Sequence, residues 1–497
     1  MKNSISLLLL LFCTLLAAQN SNIFYNRDFW KKNPGVERIK KEIKAGNDPV
    51  ALNPNAFDAI VYASLEGAPL ESIKYLLSLE GNSVNKITHD GRSYLIWAAY
   101  AGNLPLVEYL IEKGSDVTIE DDHGYNALTF AANAGQQDTR LYDVLIKSGI
   151  DVKSVNRSGA NALLLVAPSL EDDKLISYFT SKGISLNSTD ENGNNIFNYA
   201  ARKGNTKLMD LLISKGVNYK TLNKENGNAV LFAAMGGRGY SNPIEVYDYL
   251  AKLGLQTNVV TTSGRTPLHY VAGNGSSPAI VQYFLDAGVD PKQKDDEGNT
   301  ALLAAARAGN LEVVKMLLPL AGDIDQANKD GVTPLAYSVM RNNGELFDML
   351  IRKGAQPNLR DAKGNSLAGI AFNSFNKRNA ETFEHILGVL KVNGADFKDV
   401  QENGNNLFHL AVLKQDPYLI TKAARIGISP NEKNNEGLTA LHLAAMKAGN
   451  PELISLVLNE GGDKEIRTDF EESAYDLAME NEMLTEFRND LSILKIN

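Results

Sequence analysis

A single cysteine, Cys13, occurs in 497 residues. No disulfide can form within the chain, and a thiolate metal site or cysteine nucleophile would depend on that one side chain. Cys13 lies in an uncharged apolar stretch, Ile5 to Leu16, which follows Lys2 and precedes Ala17, Ala18 and Gln19. Charge, apolar segment and small residues in that order are expected of a secretory signal over 1–18, and the stretch is too short to span a bilayer as a helix. A lipid on Cys13 would need a small residue just before it, and Phe12 stands there. Cleavage near Ala18 leaves a thiol-free mature chain, expected to be periplasmic or secreted. No later segment reaches 18 uninterrupted apolar residues, so no stable membrane insertion is expected after cleavage. Cations are also scarce: 50 Lys and Arg against 59 Asp and Glu give a net charge of -9. Such a surface repels phosphate backbones, which argues against a nucleic-acid partner. Nucleophile elbow, H-E-x-x-H, dinucleotide glycine pattern and kinase motifs are all missing, and no constellation for catalysis or cofactor binding is visible.

What the chain has in quantity is repetition. Residues 89–103 read HDGRSYLIWAAYAGN, 297–310 read EGNTALLAAARAGN and 436–450 read EGLTALHLAAMKAGN. A small residue at the same place in each copy marks thirteen positions: Ala63, Ala98, Ala131, Val166, Ala200, Ala233, Val271, Ala305, Ser338, Ala371, Ala411, Ala444 and Ala478. Their spacing is 33 to 35 residues, except for 38 from Ala233 to Val271 and 40 from Ala371 to Ala411. Three residues before each marker stands an apolar side chain, such as Ile60, Leu95, Phe197, Leu268 or Leu441. That i, i+3 pair shares one helical face and predicts a short helix packed closely against its neighbours. Turns such as Ala101, Gly102, Asn103 end this helix. A second apolar stripe follows, for example Val107, Leu110, Ile111, and glycines including Gly114, Gly149, Gly183, Gly216, Gly254, Gly288 and Gly354 stop the second helix.

This pattern resembles the ankyrin repeat, in an exported bacterial type of chain. The motif stands at Thr266, Pro267, Leu268, His269 and at Thr439, Ala440, Leu441, His442, with a partial match at Thr333, Pro334, Leu335. The resemblance implies an all-α fold, an ankyrin-repeat α-solenoid of about twelve full repeats plus terminal caps. The expected organisation is signal 1–18, N-terminal capping segment 19–54, repeats 55–470 and C-terminal capping repeat 471–497, with a polar helix around Glu480 to Lys495. Solenoids of this family generally bind a protein or peptide on a concave face. The expectation is therefore a non-enzymatic, monomeric scaffold with no cofactor and no metal.

The residues just after each marker pair are the candidate partner-binding set: Tyr100, Arg202, Lys203, Met235, Arg307, Met340, Arg341, Met446 and Lys447. Aromatic, Met and Arg side chains suit an interface, although the same residues also suit an ordinary solvated helix face. Acidic turn tips at Glu120–Asp122, Asp190–Glu191 and Asp295–Glu297 suggest a rim of opposite charge around that basic floor. His123 beside the first tip lacks a metal-loop spacing and reads as a solvated turn residue. His269, His409 and His442 are expected to bond the turn backbone, and Tyr62, Trp97, Phe130, Tyr199, Phe232, Tyr270 and Tyr337 to belong to the core. Two alternatives stay open: an enzyme with a site in the lengthened repeats at 236–243 and 373–381, or a structural organiser of a cell-envelope complex.

Overall fold

Two kinds of segment alternate along the chain, one rich in alanine and one with a branched apolar stripe, and each becomes its own kind of helix. The computed structural model describes residues 22–237 and 239–496. The expected signal 1–18, Cys13 and Arg238 lie outside the described residues. By its internal contacts the chain divides into two units, one running through Ala233 with Glu245–Leu255, the other formed by Ala234–Ile244 and Gln256 onward. Both are built from helices, and the described residues contain only isolated β-bridges, no strand.

In the first unit short inner helices, Ala59–Leu65, Tyr94–Tyr100, Ala127–Asn133, Ala162–Val166 and Ile196–Arg202, alternate with outer helices such as Leu70–Leu77, Leu104–Glu112 and Thr139–Lys147. In the second unit the inner helices include Pro267–Gly273, Ala301–Ala308, Pro334–Met340 and Leu407–Leu413, with outer partners such as Pro278–Asp286 and Gly344–Arg352. All thirteen markers are buried, as small residues must be where helices approach this closely. The fourth inner helix stops early at Val166 and continues as a 3-10 turn, Ala167–Ser169. Pro168 explains this, since it cannot donate the next backbone hydrogen bond.

The recurrent Gly-Asn pair has a double task. Gly102, at φ +68°, ends one helix in the left-handed region, and Asn103 caps the next by accepting the Leu106 N–H at 3.1 Å. Asn205 and Asn343 cap the following outer helices in the same way, each at 3.0 Å. Turn tips are joined from repeat to repeat by backbone hydrogen bonds: Asp122 N–H to Asp90 O at 2.8 Å in the first unit, Lys329 N–H to Glu297 O at 2.9 Å and Ala362 N–H to Asp330 O at 2.7 Å in the second. Between those rungs the tip glycine has no room for a side chain. At Gly331, φ +73°, a Cβ would sit 2.5 Å from the Ala362 nitrogen.

Both ends are closed, but not alike. At the N-terminal end Trp30 is fully buried beside Phe24 and Phe29, and helix Val36–Lys44 lies ahead of the first inner helix. At the other end the polar helix expected around Glu480 to Lys495 is replaced by two 3-10 segments, Glu482–Phe487 and Asp490–Leu494. Leu484, Leu491 and Leu494 are all buried, so this segment packs its leucines onto the last inner helix, Ala474–Glu480, instead of forming a polar helix.

Candidate functional site

The inner helices have little exposed surface except at their C-terminal ends, where the candidate residues stand. Tyr100, Met340 and Met446 are 37%, 37% and 39% exposed, a large fraction for apolar side chains. Arg202, Lys203, Arg307, Arg341 and Lys447 are exposed as well, whereas Met235 is half-buried. Arg202 and Lys203 both have interaction partners in the fold. Met446 and Lys447 close the helix Ala440–Lys447, where the Lys447 carbonyl accepts from Gln415 Nε2 at 3.0 Å.

In the first unit Tyr100 is part of an aromatic patch. Its ring lies 4.9 Å from Phe130, and Trp97 stands 5.9 Å from Phe130 and 5.7 Å from Phe57. Arg92 is inserted into this patch and nearly buried. Its guanidinium lies 4.9 Å from the Trp97 ring and 4.4 Å from Phe130, bonds Asp121 at 2.8 Å and pairs with Asp90 at 3.1 Å. Sequence reasoning missed Arg92. A weak signal existed: Arg92 and Arg265 occupy the same repeat position, directly before the residue that precedes the inner helix.

In the second unit Arg307 and Arg341 meet Arg265 around a recess of about 390 Å³, floored by Gly273, Ala304 and Ala308. Arg341 donates from Nε to Arg307 O at 2.6 Å and from Nη2 to Ala308 O at 3.2 Å, so it closes the C-terminus of the neighbouring inner helix. Arg265 Nε stands 3.5 Å from Asp295. Met340 lines a separate recess of about 500 Å³ with Ile370, Asn373 and Lys363. Among the candidates, the structure therefore brings Arg307 and Arg341 together, while Tyr100, in the first unit, and the Met446–Lys447 pair belong to other surfaces.

The acidic rim is only partly as expected. Glu120, Asp122, Glu191, Asp296 and Glu297 are exposed, but Asp121 and Asp190 are buried and the Asp295 side chain nearly so. Each folds back into its own turn: Asp121 accepts the His123 and Tyr125 N–H groups at 2.8 and 2.9 Å, and Asp295 those of Glu297 and Asn299 at 3.0 and 2.8 Å. Asp121, Asp190 and Asp295 are thus structural elements, and the other acids of each tip carry the solvent-facing charge.

The three motif histidines bond as expected and also reach further. The Thr266 N–H donates to His269 Nδ1 at 3.1 Å, and Nε2 lies 3.0 Å from Asn299 O in the next repeat. His409 spans Asn406 and Leu438 O, and His442 spans Thr439 and Ile466 O, in the same manner. Nδ1 accepting and Nε2 donating is the neutral imidazole, and burial lowers the pKa of all three below the usual histidine value. The aromatic stripe is core at Trp97, Phe130 and Phe232, but its tyrosines are half-buried and several bond their own turn. Asn53 donates to the Tyr62 hydroxyl at 3.1 Å, and the Tyr199 hydroxyl donates to Asp190 at 2.9 Å.

The lengthened repeats build structure from their extra residues. Gly237 and Tyr240 exchange backbone hydrogen bonds at 3.1 Å each, and Asn242 is buried. In the other, Phe375 stacks on Tyr418 at 5.2 Å and meets Phe383 at 4.9 Å, while Lys377 and Arg378 sit on the 3-10 turn Lys377–Asn379. Among the described residues no group of three or more His, Cys, Asp or Glu could hold a metal ion, and no helix is long and apolar enough to cross a membrane.

Models of the ankyrin repeat match much of the chain: a three-copy model at 60–156, 197–295, 231–330 and 268–361, a many-copy model at 164–213 and a single-repeat model at 436–469. Similar proteins include the transient receptor potential cation channel subfamily A member 1 of Homo sapiens, 27% identical over 376 residues, 72% of this chain and 32% of that one. Alpha-latroinsectotoxin-Lt1a of Latrodectus tredecimguttatus is 24% identical over 311 residues, 60% of this chain and 21% of the toxin. E3 ubiquitin-protein ligase KEG of Arabidopsis thaliana is 26% identical over 341 residues, 64% of this chain and 20% of the ligase. The chain spans a third or less of each of these relatives' length.

Proposed function

Because the chain belongs to the ankyrin-repeat family, we propose that it is a non-enzymatic scaffold which binds a protein or peptide across the C-terminal ends of its inner helices and the adjoining turn tips. The observation that carries this reading is the contrast along each inner helix: the marker and its apolar partner are buried, while large side chains such as Tyr100, Met340 and Met446 stay exposed at the end. Exposed aromatic and Met side chains beside arginines favour a protein surface as partner. A channel, a toxin and a ligase share no activity by their names, which supports a common binding module over a common chemistry.

Export is part of the proposal, on the strength of the charge, apolar and small-residue order over 1–18. Mass spectrometry of the N-terminus from the exported fraction should find it near Gln19, and an intact Met1 there would remove this element. Crosslinking within the same fraction, followed by mapping, tests the binding face. Links are expected close to Lys203 and Lys447; links confined to outer-helix lysines such as Lys147 and Lys252 would show that the other face binds.

A further inference from the structure

Basic groups are outnumbered over the chain as a whole, yet in the second unit three arginines from three successive repeats converge on one recess. Arg265 approaches from a turn, Arg307 from the last turn of helix Ala301–Ala308, and Arg341 from the residue after helix Pro334–Met340. The recess holds one carboxylate, Asp295, whose Oδ1 already accepts two turn N–H groups. At 3.5 Å its pairing with Arg265 is long for a charge-assisted hydrogen bond. Arg341 commits Nε and Nη2 to the carbonyls of Arg307 and Ala308, which holds its guanidinium plane in position and leaves Nη1 for another acceptor. Arg307 is exposed, and although its carbonyl accepts from Arg341, its guanidinium has no hydrogen-bond or ion-pair partner among the described residues. Three positive groups therefore face one negative group, on a floor of glycine and alanine that lets a main chain come close.

We infer that this recess takes a carboxylate side chain, Asp or Glu, of an extended acidic peptide segment, held by Arg307 and Arg341 with Arg265 at the edge. A planar guanidinium fork matches a carboxylate, and the resident Asp295 carboxylate disfavours the higher charge of a phosphate dianion. The inference deepens the groove-binding reading above and rests on it. It makes the second unit selective for acidic stretches, which an electrostatically negative chain would otherwise repel.

The test is fluorescence anisotropy with fluorescein-labelled octaglutamate on the whole protein at low salt, with octaglutamine and octalysine as controls. Octaglutamate should bind and the controls should not, and raising salt to about 0.5 M should weaken it strongly, since the screening length then falls to roughly 4 Å. Arg307→Glu should raise Kd by at least about tenfold, because it replaces attraction by repulsion at an unpaired group. Gly273→Leu should do the same by filling the floor without changing charge. Lys377→Glu, on a different repeat, should leave Kd unchanged, and equal thermal midpoints will show that each variant is folded. Absence of octaglutamate binding, or binding indifferent to Arg307→Glu and Gly273→Leu, overturns the inference. Displacement of the peptide by inorganic phosphate at matched ionic strength would also overturn it, in favour of a phosphate site. Should octaglutamate fail while partner crosslinks still fall on inner-helix ends, the carboxylate assignment alone is lost; crosslinks confined to outer helices would remove the wider reading.

Discussion

Asp58 is a fully engaged carboxylate of the first unit that reaches into the next repeat, and its replacement makes a sharp test of how the repeats are held. It is fully buried and caps the first inner helix by accepting the Ile60 and Val61 N–H groups at 3.1 and 3.0 Å. The Tyr94 hydroxyl donates to its other oxygen at 2.5 Å, and Lys86 Nζ stands 2.9 Å from that same oxygen. Tyr94 and Lys86 belong to the next repeat, so one side chain ties two layers together. Asp58→Ala removes a helix cap, worth about 1 kcal/mol, and leaves a mostly buried ammonium without its anion, worth about 3 to 5 kcal/mol. The two terms overlap, so the expected loss is about 4 kcal/mol. Because a stacked array unravels from its ends, the loss should appear as faster amide hydrogen exchange over residues 59–100, with the second unit unchanged. Asp58→Asn keeps the cap but not the charge, and the pair Asp58→Asn with Lys86→Met should recover much of the deficit of Asp58→Asn alone. A loss below about 1 kcal/mol for Asp58→Ala, or no recovery in the pair, would refute the idea that a buried charge pair joins these layers.

Three further outcomes are expected. Burial lowers the pKa of His269, His409 and His442, so their contribution to stability is complete above the ordinary histidine pKa and is lost as pH falls through the lowered one. Urea midpoints of the second unit, read by hydrogen exchange, should therefore drop on acidification from neutrality towards pH 5, and a flat profile would contradict the neutral inter-repeat bonds. Gly331→Ala should cost more than about 1 kcal/mol, since φ is +73° and the new Cβ meets the Ala362 nitrogen; Gly354→Ala, with φ +92° and open space, should show the backbone strain without the clash. Arg341→Ala should lower stability by about 1 kcal/mol through two lost bonds to the Arg307 and Ala308 carbonyls, while Arg307→Ala should be nearly silent, which thermal melts of the two variants will compare.

The repeat, its period and both helix faces were legible in the order of residues because each depends on neighbours at most a few positions apart. A small marker three residues after an apolar one, a Gly-Asn turn and a glycine stop describe local geometry that the backbone must obey wherever they occur. The motif histidines were legible for the same reason on their Nδ1 side, where the partner is three residues away. Their Nε2 partners, 24 to 30 residues distant, were not. Arg92 between Trp97 and Phe130, the inward fold of Asp121, Asp190 and Asp295, and the 3-10 form of the last segment likewise escaped a linear reading. The convergence of Arg265, Arg307 and Arg341 has the same origin. In the sequence they are separated by 42 and 34 residues, one repeat or slightly more, and nothing local requires them to meet. Stacking in register turns equal repeat positions into neighbours, and only the packed layers decide which of those neighbours satisfy one another and which are left facing solvent with charge to spare.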